Sequence, residues 1–155
     1  MSEGTQALTG DARSTAPNIY PALGYRHAKA AIRWLCDAFG FEERMVHPGE
    51  DLEVVHAELS LGPGIIMLGS QREDAPTAGE VASQSAGDEL DFKRIPFTIY
   101  IAIGDVDAHC ERARAAGAEI VRELTDTDYG SREYSARDLE GNIWSFGTYH
   151  PAVGD

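Results

Sequence analysis

The sequence predicts an α+β fold made of two βαβββ modules, paired to form a curved, cup-shaped mixed sheet with the helices outside. Two observations predict it. The order of strand, helix and three strands occurs twice along the chain, and each helical stretch ends at a glycine, Gly40 or Gly117. One such unit cannot bury both faces of its sheet. Pairing two units therefore leaves a concave inner face, the kind of surface on which small ligands bind.

The first module begins with a predicted strand at 19–25 and an amphipathic helix at about 27–39. Ile32, Leu35 and Phe39 recur at helical spacing, which gives this helix one apolar face. Three strands separated by Gly/Pro turns follow, at 41–47, 53–61 and 65–68.

The second module repeats this order. A predicted strand at 97–103 precedes a helix that runs to about Ala116. Asp105 is expected to cap that helix, because its carboxylate can accept from the free N–H groups of the first turn. Three further strands complete the module, at 120–124, 132–137 and 142–149.

Composition divides the chain into four segments. Residues 1–17 are rich in Gly, Ser, Thr and Ala without an apolar period, which predicts a disordered tail or a loosely docked arm. The two modules occupy 18–70 and 95–150. The polar stretch 71–94 is too long for a simple turn and is predicted to be a linker or a flap.

The net charge of −13 over 155 residues excludes a nucleic-acid partner, since binding phosphates needs clustered Lys and Arg. It mildly favours a cationic ligand. The start of the chain lacks the basic and apolar regions of a secretory leader, and no apolar run approaches the roughly 20 residues that span a bilayer. We therefore expect a cytoplasmic protein without a membrane partner.

Three stretches resemble signatures of one family. Residues 30–41 resemble its first helix with the closing glycine, residues 100–107 its second opening strand and helix cap, and residues 129–142 its closing hairpin. The family is the vicinal-oxygen-chelate superfamily, which includes glyoxalase I, extradiol dioxygenases, fosfomycin-modifying enzymes and bleomycin-binding proteins. The resemblance covers about 19–149, although Leu139 stands where the family's closing turn usually has proline.

The resemblance implies where a metal would bind. In metal-dependent members, His, Gln or Glu ligands come from the first and last strands of each module. The matching positions here are Tyr20, Met67, Tyr100 and Ser145. Phenol, thioether and alcohol groups do not hold a divalent transition metal without imidazole or carboxylate help. We therefore predict no metal and no cofactor, and interpret these four side chains as candidates for a ligand pocket.

Three further residues are pocket candidates. His56 and Glu58 share one face of a strand, where they could act as a base with its orienting partner or contribute to an unusual metal site. The alternative is an exposed polar face. Either Arg132 or Glu133 points inward by alternation: Arg132 would suit a carboxylate or phosphate and Glu133 a cation, unless both form a surface ion pair. The remaining histidines, His109 among them, are expected to be solvated.

The resemblance to bleomycin-binding proteins favours a metal-free protein that sequesters a small molecule, for example in antibiotic resistance, and it implies a homodimer. An alternative is a lyase, isomerase or dioxygenase of the same superfamily, using a metal or acid–base chemistry at His56 and Glu58. A third is an interaction module with no ligand. Whether the protein is an enzyme stays open at this point, because one fold serves all these functions.

Overall fold

The computed structural model describes residues 17–77, 80 and 92–152. The predicted tail lies outside this range except for Pro17, and so does most of the predicted linker. The described chain folds into eight strands and two α-helices, with a short 3-10 turn at Phe92–Arg94. In chain order the elements are β1 (Ala22–Tyr25), α1 (Ala28–Phe39), β2 (Glu42–Pro48), β3 (Val54–Leu61), β4 (Gly64–Ser70), β5 (Ile99–Ala102), α2 (Val106–Ala115), β6 (Glu119–Asp126), β7 (Arg132–Arg137) and β8 (Ile143–Gly147).

The strands form two four-stranded mixed sheets, ordered β1-β4-β3-β2 and β5-β8-β7-β6. The outer strands β1 and β5 pair in parallel with β4 and β8, and all other pairs are antiparallel. This confirms the predicted α+β class and the repeated module. The strands do not merge into one continuous sheet, because the modules meet through their helices and core rather than by pairing the edges of β1 and β5.

The helices pack on one face of each sheet and also contact each other. Phe39 at the end of α1 lies against the other module, with its ring centroid 5.5 Å from that of Trp144 and 4.8 Å from that of Phe146. The helix-facing sides of both sheets therefore share a single apolar core. Within the described residues, the opposite side of each sheet carries no helix, and we call it the open face. None of the helices in the described part of the chain has the length and apolar character that crossing a membrane requires.

A carboxylate distant in sequence binds the chain just before the first turn of α1. His27 precedes the helix without offering a side-chain cap. Instead, the Glu140 carboxylate of the second module accepts from the backbone N–H groups of Arg26 (2.7 Å) and His27 (2.8 Å). An anion at a helix N-terminus satisfies free donors and complements the helix dipole.

The carbonyls at the other end of α1 are also capped by the second module. Arg112 of α2 donates to the carbonyl oxygens of Asp37 (3.0 Å) and Cys36 (3.1 Å). The chain leaves the helix through Gly40, whose φ of 86° favours glycine. A Cβ at this position would also lie 3.2 Å from the Arg112 guanidinium. The glycine therefore both ends the helix and admits its cap.

Asp138 connects the modules from within the core. Its buried carboxylate accepts from the hydroxyl of Tyr25 (2.6 Å) in the first module and from the indole N–H of Trp144 (3.0 Å) in the second. It also accepts from the Asn142 side chain and from the backbone N–H groups of Glu140 and Asn142. Burial and the neighbouring Asp138 carboxylate raise the pKa of Tyr25 well above its ordinary value, so this phenol remains a donor.

We expect Tyr25→Phe to lower the free energy of unfolding by about 1–3 kcal/mol, because it removes a buried hydrogen bond to a charged acceptor while keeping the ring. Tyr20→Phe is the matched control, since Tyr20 is exposed and its hydroxyl donates only to the nearby Pro17 carbonyl. Urea unfolding of both variants checks the prediction. Equal stability of the two variants would show that the Asp138 contact does not hold the modules together.

His109 corrects one sequence expectation, because it is partly buried rather than solvated. Its Nδ1 lies 2.7 Å from the Tyr134 hydroxyl and its Nε2 lies 2.8 Å from the Phe39 carbonyl oxygen. The carbonyl can only accept, so Nε2 carries the proton and Nδ1 accepts from Tyr134. Burial lowers the pKa of His109; the Phe39 carbonyl opposes this effect and the Arg112 charge adds to it.

This lowered pKa predicts a pH dependence of stability. Between the folded pKa and the ordinary value of about 6.5, the unfolded chain binds a proton that the folded chain does not. The contribution of His109 is therefore full above that ordinary value and declines as the pH falls below it. We expect the difference in unfolding free energy between the natural chain and His109→Gln to shrink from pH 7.5 to pH 5.5 in urea titrations. A constant difference would contradict the neutral histidine.

Candidate functional site

The open face of the second sheet carries a row of side chains across three neighbouring strands. Tyr100 of β5 pairs with Ser145 of β8, which pairs with Ser135 of β7. One step along the sheet, Gly147 pairs with Glu133. Because side chains alternate across a strand, all five positions lie on the side away from the helices. Ser135 and Ser145 are joined there by a 2.7 Å hydrogen bond between their hydroxyls.

This face holds a cavity of about 560 Å³, which we call the tyrosine pocket. That volume lies within the range of small-molecule sites. Its walls combine aromatic rings, one carboxylate and small polar groups, contributed by Thr98, Tyr100, Tyr129, Glu133, Ser145, Tyr149 and Pro151.

Hydrogen bonds fix the tyrosines around a nearly buried carboxylate. Tyr129 donates to Oε2 of Glu133 at 3.0 Å, and this bond, more than its partial desolvation, raises the pKa of Tyr129. Tyr100 donates to the carbonyl oxygen of Tyr149 at 2.7 Å, and burial raises its pKa. The rings of Tyr129 and Tyr149 meet edge to face, with centroids 6.0 Å apart at 84°. The pocket thus presents neutral phenols beside one acidic group.

Two lining residues of the pocket pack closely over a glycine. A Cβ on Gly147 would lie 2.6 Å from Cγ of Glu133 and 2.7 Å from the Tyr100 hydroxyl oxygen, both closer than real Cβ contacts. The missing side chain therefore allows the tyrosine and the glutamate to approach each other over β8.

The open face of the first sheet carries the most reactive-looking pair. His56 Nε2 and Glu58 Oε2 are 2.9 Å apart, with side chains 37% and 32% exposed. Glu58 pairs with Met67 on β4, so three of the predicted pocket candidates lie side by side. His47 pairs with His56 across the strands. This arrangement could accept a hydrogen bond from a ligand or transfer a proton. It is separate from the tyrosine pocket.

Two predicted candidates lie apart from these groups. Tyr20 precedes β1, and its hydroxyl is bonded to the Pro17 carbonyl. Arg132 turns toward α2, where its guanidinium contacts Asp107 (2.7 Å) and Asp126 (3.1 Å). The inward position that alternation allowed to Arg132 or Glu133 is taken by Glu133.

The residues at the superfamily's metal positions do not fit a metal. The Tyr100 hydroxyl is used by the Tyr149 carbonyl, the Ser145 hydroxyl by Ser135, and Met67 offers a thioether. Among residues 17–77, 80 and 92–152, no three His, Cys, Asp or Glu side chains converge as a metal site. The superfamily metal positions of the described chain thus lack the imidazole and carboxylate groups that the metal-dependent members use there.

Sequence reasoning did not select Tyr129, Tyr149 or Gly147 as site residues. Tyr129 lies in the β6–β7 turn and Tyr149 follows β8, so no strand period applies to them. The usable signal in the sequence is that Tyr129 precedes β7 and Tyr149 follows β8. Because these strands are antiparallel, both tyrosines lie at the same end of the pair.

The fold and the sequence of this chain are similar to those of several known proteins. The structure is similar to the crystal structure of TioX from Micromonospora sp. ML1, with a TM-score of 0.64 and 31% identity over 85% of this chain and 98% of that one. A glyoxalase/bleomycin resistance protein/dioxygenase family enzyme from Burkholderia phytofirmans PsJN shares the fold at 21% identity, with a TM-score of 0.57. The match covers 83% of this chain and 94% of that one. An uncharacterized protein of Mycobacterium bovis is 31% identical over 84% of this chain and 82% of its own length.

The family profile of the Glyoxalase/Bleomycin resistance protein/Dioxygenase superfamily matches residues 20–146. The chain belongs to this superfamily, which confirms the resemblance seen in its helix and hairpin motifs. Membership covers resistance proteins and enzymes alike, so the function must be argued from the two open faces.

We expect Gly147→Ala to lower the free energy of unfolding by about 1–3 kcal/mol, because the added methyl overpacks Glu133 against Tyr100. Gly104→Ala is the matched control: a Cβ there meets nothing within 4 Å, so stability should stay equal or rise slightly. Thermal or urea unfolding compares the two. If both substitutions lower the free energy of unfolding equally little, Glu133 and Tyr100 are loosely packed over Gly147.

Proposed function

We propose that the protein binds a small organic molecule on its open faces without a metal, and that the tyrosine pocket is the principal site. One observation carries this proposal: a cavity of about 560 Å³ on the open face of the second sheet, lined by tyrosines and one carboxylate. Aromatic walls with few oriented polar groups are typical of ligand sites. Tyr100 and Ser145, which occupy superfamily metal positions, form part of the wall.

We also propose a homodimer in which a second copy covers the module edges. The outer strands β1 and β5 have one edge each without a pairing strand in the described sheets, and such edges favour association. An apolar depression of about 280 Å³ lies beside them, bordered by Pro21, Ile65, Ile99 and Ile101. Covering it would bury apolar surface and could join the open face of one copy to that of the other.

A second candidate function is acid–base catalysis at the first sheet. The 2.9 Å contact between His56 and Glu58 favours it, since a carboxylate can orient an imidazole as a general base. This candidate requires turnover, whereas the principal proposal requires only binding. The two candidates also use different open faces, so single substitutions separate them.

The test is a thermal-shift screen of the full chain against organic cations, anions and neutral aromatics, before and after extensive treatment with a chelator. We expect at least one compound class to raise the melting temperature equally in both samples, because binding stabilises the folded state without help from a metal. A shift that disappears on chelation and returns with Fe, Ni, Mn or Zn would overturn the metal-free proposal. No shift with any compound would overturn ligand binding.

The same screen, followed by mass analysis of the compounds, tests catalysis. His56→Gln and Glu58→Gln abolish turnover if the pair is catalytic, and His27→Gln serves as the matched control, since His27 is exposed and its side chain does not cap the helix. Conversion of a bound compound by the natural chain but not by His56→Gln would establish the enzyme in place of the binding protein. We expect binding without conversion in all four proteins.

A further inference from the structure

We propose that the tyrosine pocket recognises an alkylated ammonium group, held between the rings of Tyr129 and Tyr149 and the carboxylate of Glu133. This inference rests on the proposed binding function and adds the chemical class of the ligand. Its basis is the combination of a nearly buried carboxylate with two perpendicular aromatic rings.

Glu133 is an acidic group with incomplete charge compensation. Its side chain is only 8% exposed, and a buried carboxylate needs a counter-charge or several donors. Tyr129 supplies a neutral hydroxyl to Oε2, while the Arg122 guanidinium approaches Oε1 at 3.4 Å. Strong charged pairs lie at about 2.7–2.9 Å. The stretched contact to Arg122 leaves the carboxylate able to attract a second cation from the pocket side.

The rings of Tyr129 and Tyr149 supply aromatic surface next to this carboxylate. They are perpendicular to each other, and the two residues are 59% and 48% exposed, so aromatic surface remains accessible to a ligand. A cation within about 6 Å of a ring centroid is attracted by the electron-rich face. Two perpendicular walls beside an acidic group form a corner that matches a rounded cation.

The aromatic surface of the pocket favours an alkylated over a primary ammonium, because alkyl groups can pack on the ring faces. A primary ammonium brings three N–H donors that need acceptors, whereas a quaternary one brings none. The Tyr100 hydroxyl donates to the Tyr149 carbonyl, the Tyr129 hydroxyl to Glu133, and the hydroxyls of Ser135 and Ser145 bond to each other. Partners within the protein thus orient the hydroxyls of Tyr100, Tyr129 and Ser145, and the surface next to them is mainly aromatic and negatively charged. The net charge of −13 further raises the local concentration of cations.

The experiment titrates the full chain with choline and with 3,3-dimethylbutan-1-ol, an uncharged molecule of the same shape, while following tyrosine ring signals by NMR. We expect choline to bind at least tenfold more tightly and to shift the signals of Tyr129 and Tyr149. Raising the salt concentration weakens choline binding only, because salt screens charge attraction. Methylammonium is expected to bind less tightly than tetramethylammonium.

Variants assign the effect to the named groups. Glu133→Gln lowers the affinity for choline about tenfold, and Tyr149→Leu lowers it about fivefold, whereas Tyr149→Phe keeps the ring and stays within about twofold. Tyr20→Leu is the matched control, as an exposed tyrosine outside the pocket. If Glu133→Gln fails to fold, the Tyr149 pair decides: equal affinities of the Leu and Phe variants would overturn the proposal.

The outcomes separate this inference from the proposed function. Equal binding of choline and its uncharged analogue would overturn recognition of a cation and leave the small-molecule site standing. Choline binding that survives every pocket substitution would also overturn it, since the cation would then bind elsewhere. Absence of binding by choline, while other compounds of the screen bind, rejects the ligand class alone. Absence of binding by every compound rejects both proposals.

Discussion

Helix α1 depends on the second module at both of its ends. The Glu140 carboxylate accepts from the two backbone N–H groups that precede its first turn, and its last carbonyls are capped by Arg112 and His109. These contacts, with the Asp138 carboxylate that joins Tyr25 to the second module, fix how the two sheets are oriented around their common core. The direction of both open faces follows from that orientation, and so does the separation of the His56–Glu58 pair from the tyrosine pocket.

Local patterns predict most of the fold because helix and strand periods are local properties. Ile32, Leu35 and Phe39 mark the buried face of α1, and Gly40 marks its end, as the structure confirms. Strand β1 is shorter than predicted and begins after Pro21, which cannot donate to a ladder. The division into two sheets was not predictable, because strand periods carry no information on which edges stay unpaired. Which edges stay unpaired depends on contacts between the modules, such as the packing of Phe39 against Trp144.

The site was less predictable than the fold. The alternation of side chains along a strand predicts that Arg132 and Glu133 face opposite sides of the sheet. Which of them faces the pocket depends on Asp107 of α2, which pairs with the arginine. His109 finds its acceptor 70 residues away, so its sequence neighbours give no sign of burial. The superfamily positions were informative for their chemistry: phenol, thioether and hydroxyl groups stand there, and in the structure Tyr100 contributes to an aromatic wall.

The capping of α1 has a consequence for the order in which the chain can fold during synthesis. The helix leaves the ribosome long before residues 109, 112 and 140, which complete its ends. Isolated helices of 12 residues are marginal in water, so α1 gains its final stability only after the second module has emerged. The first module therefore reaches its final stability only when the second module is present. A nascent chain that stops between the two modules exposes the apolar face of α1 to chaperones or aggregation.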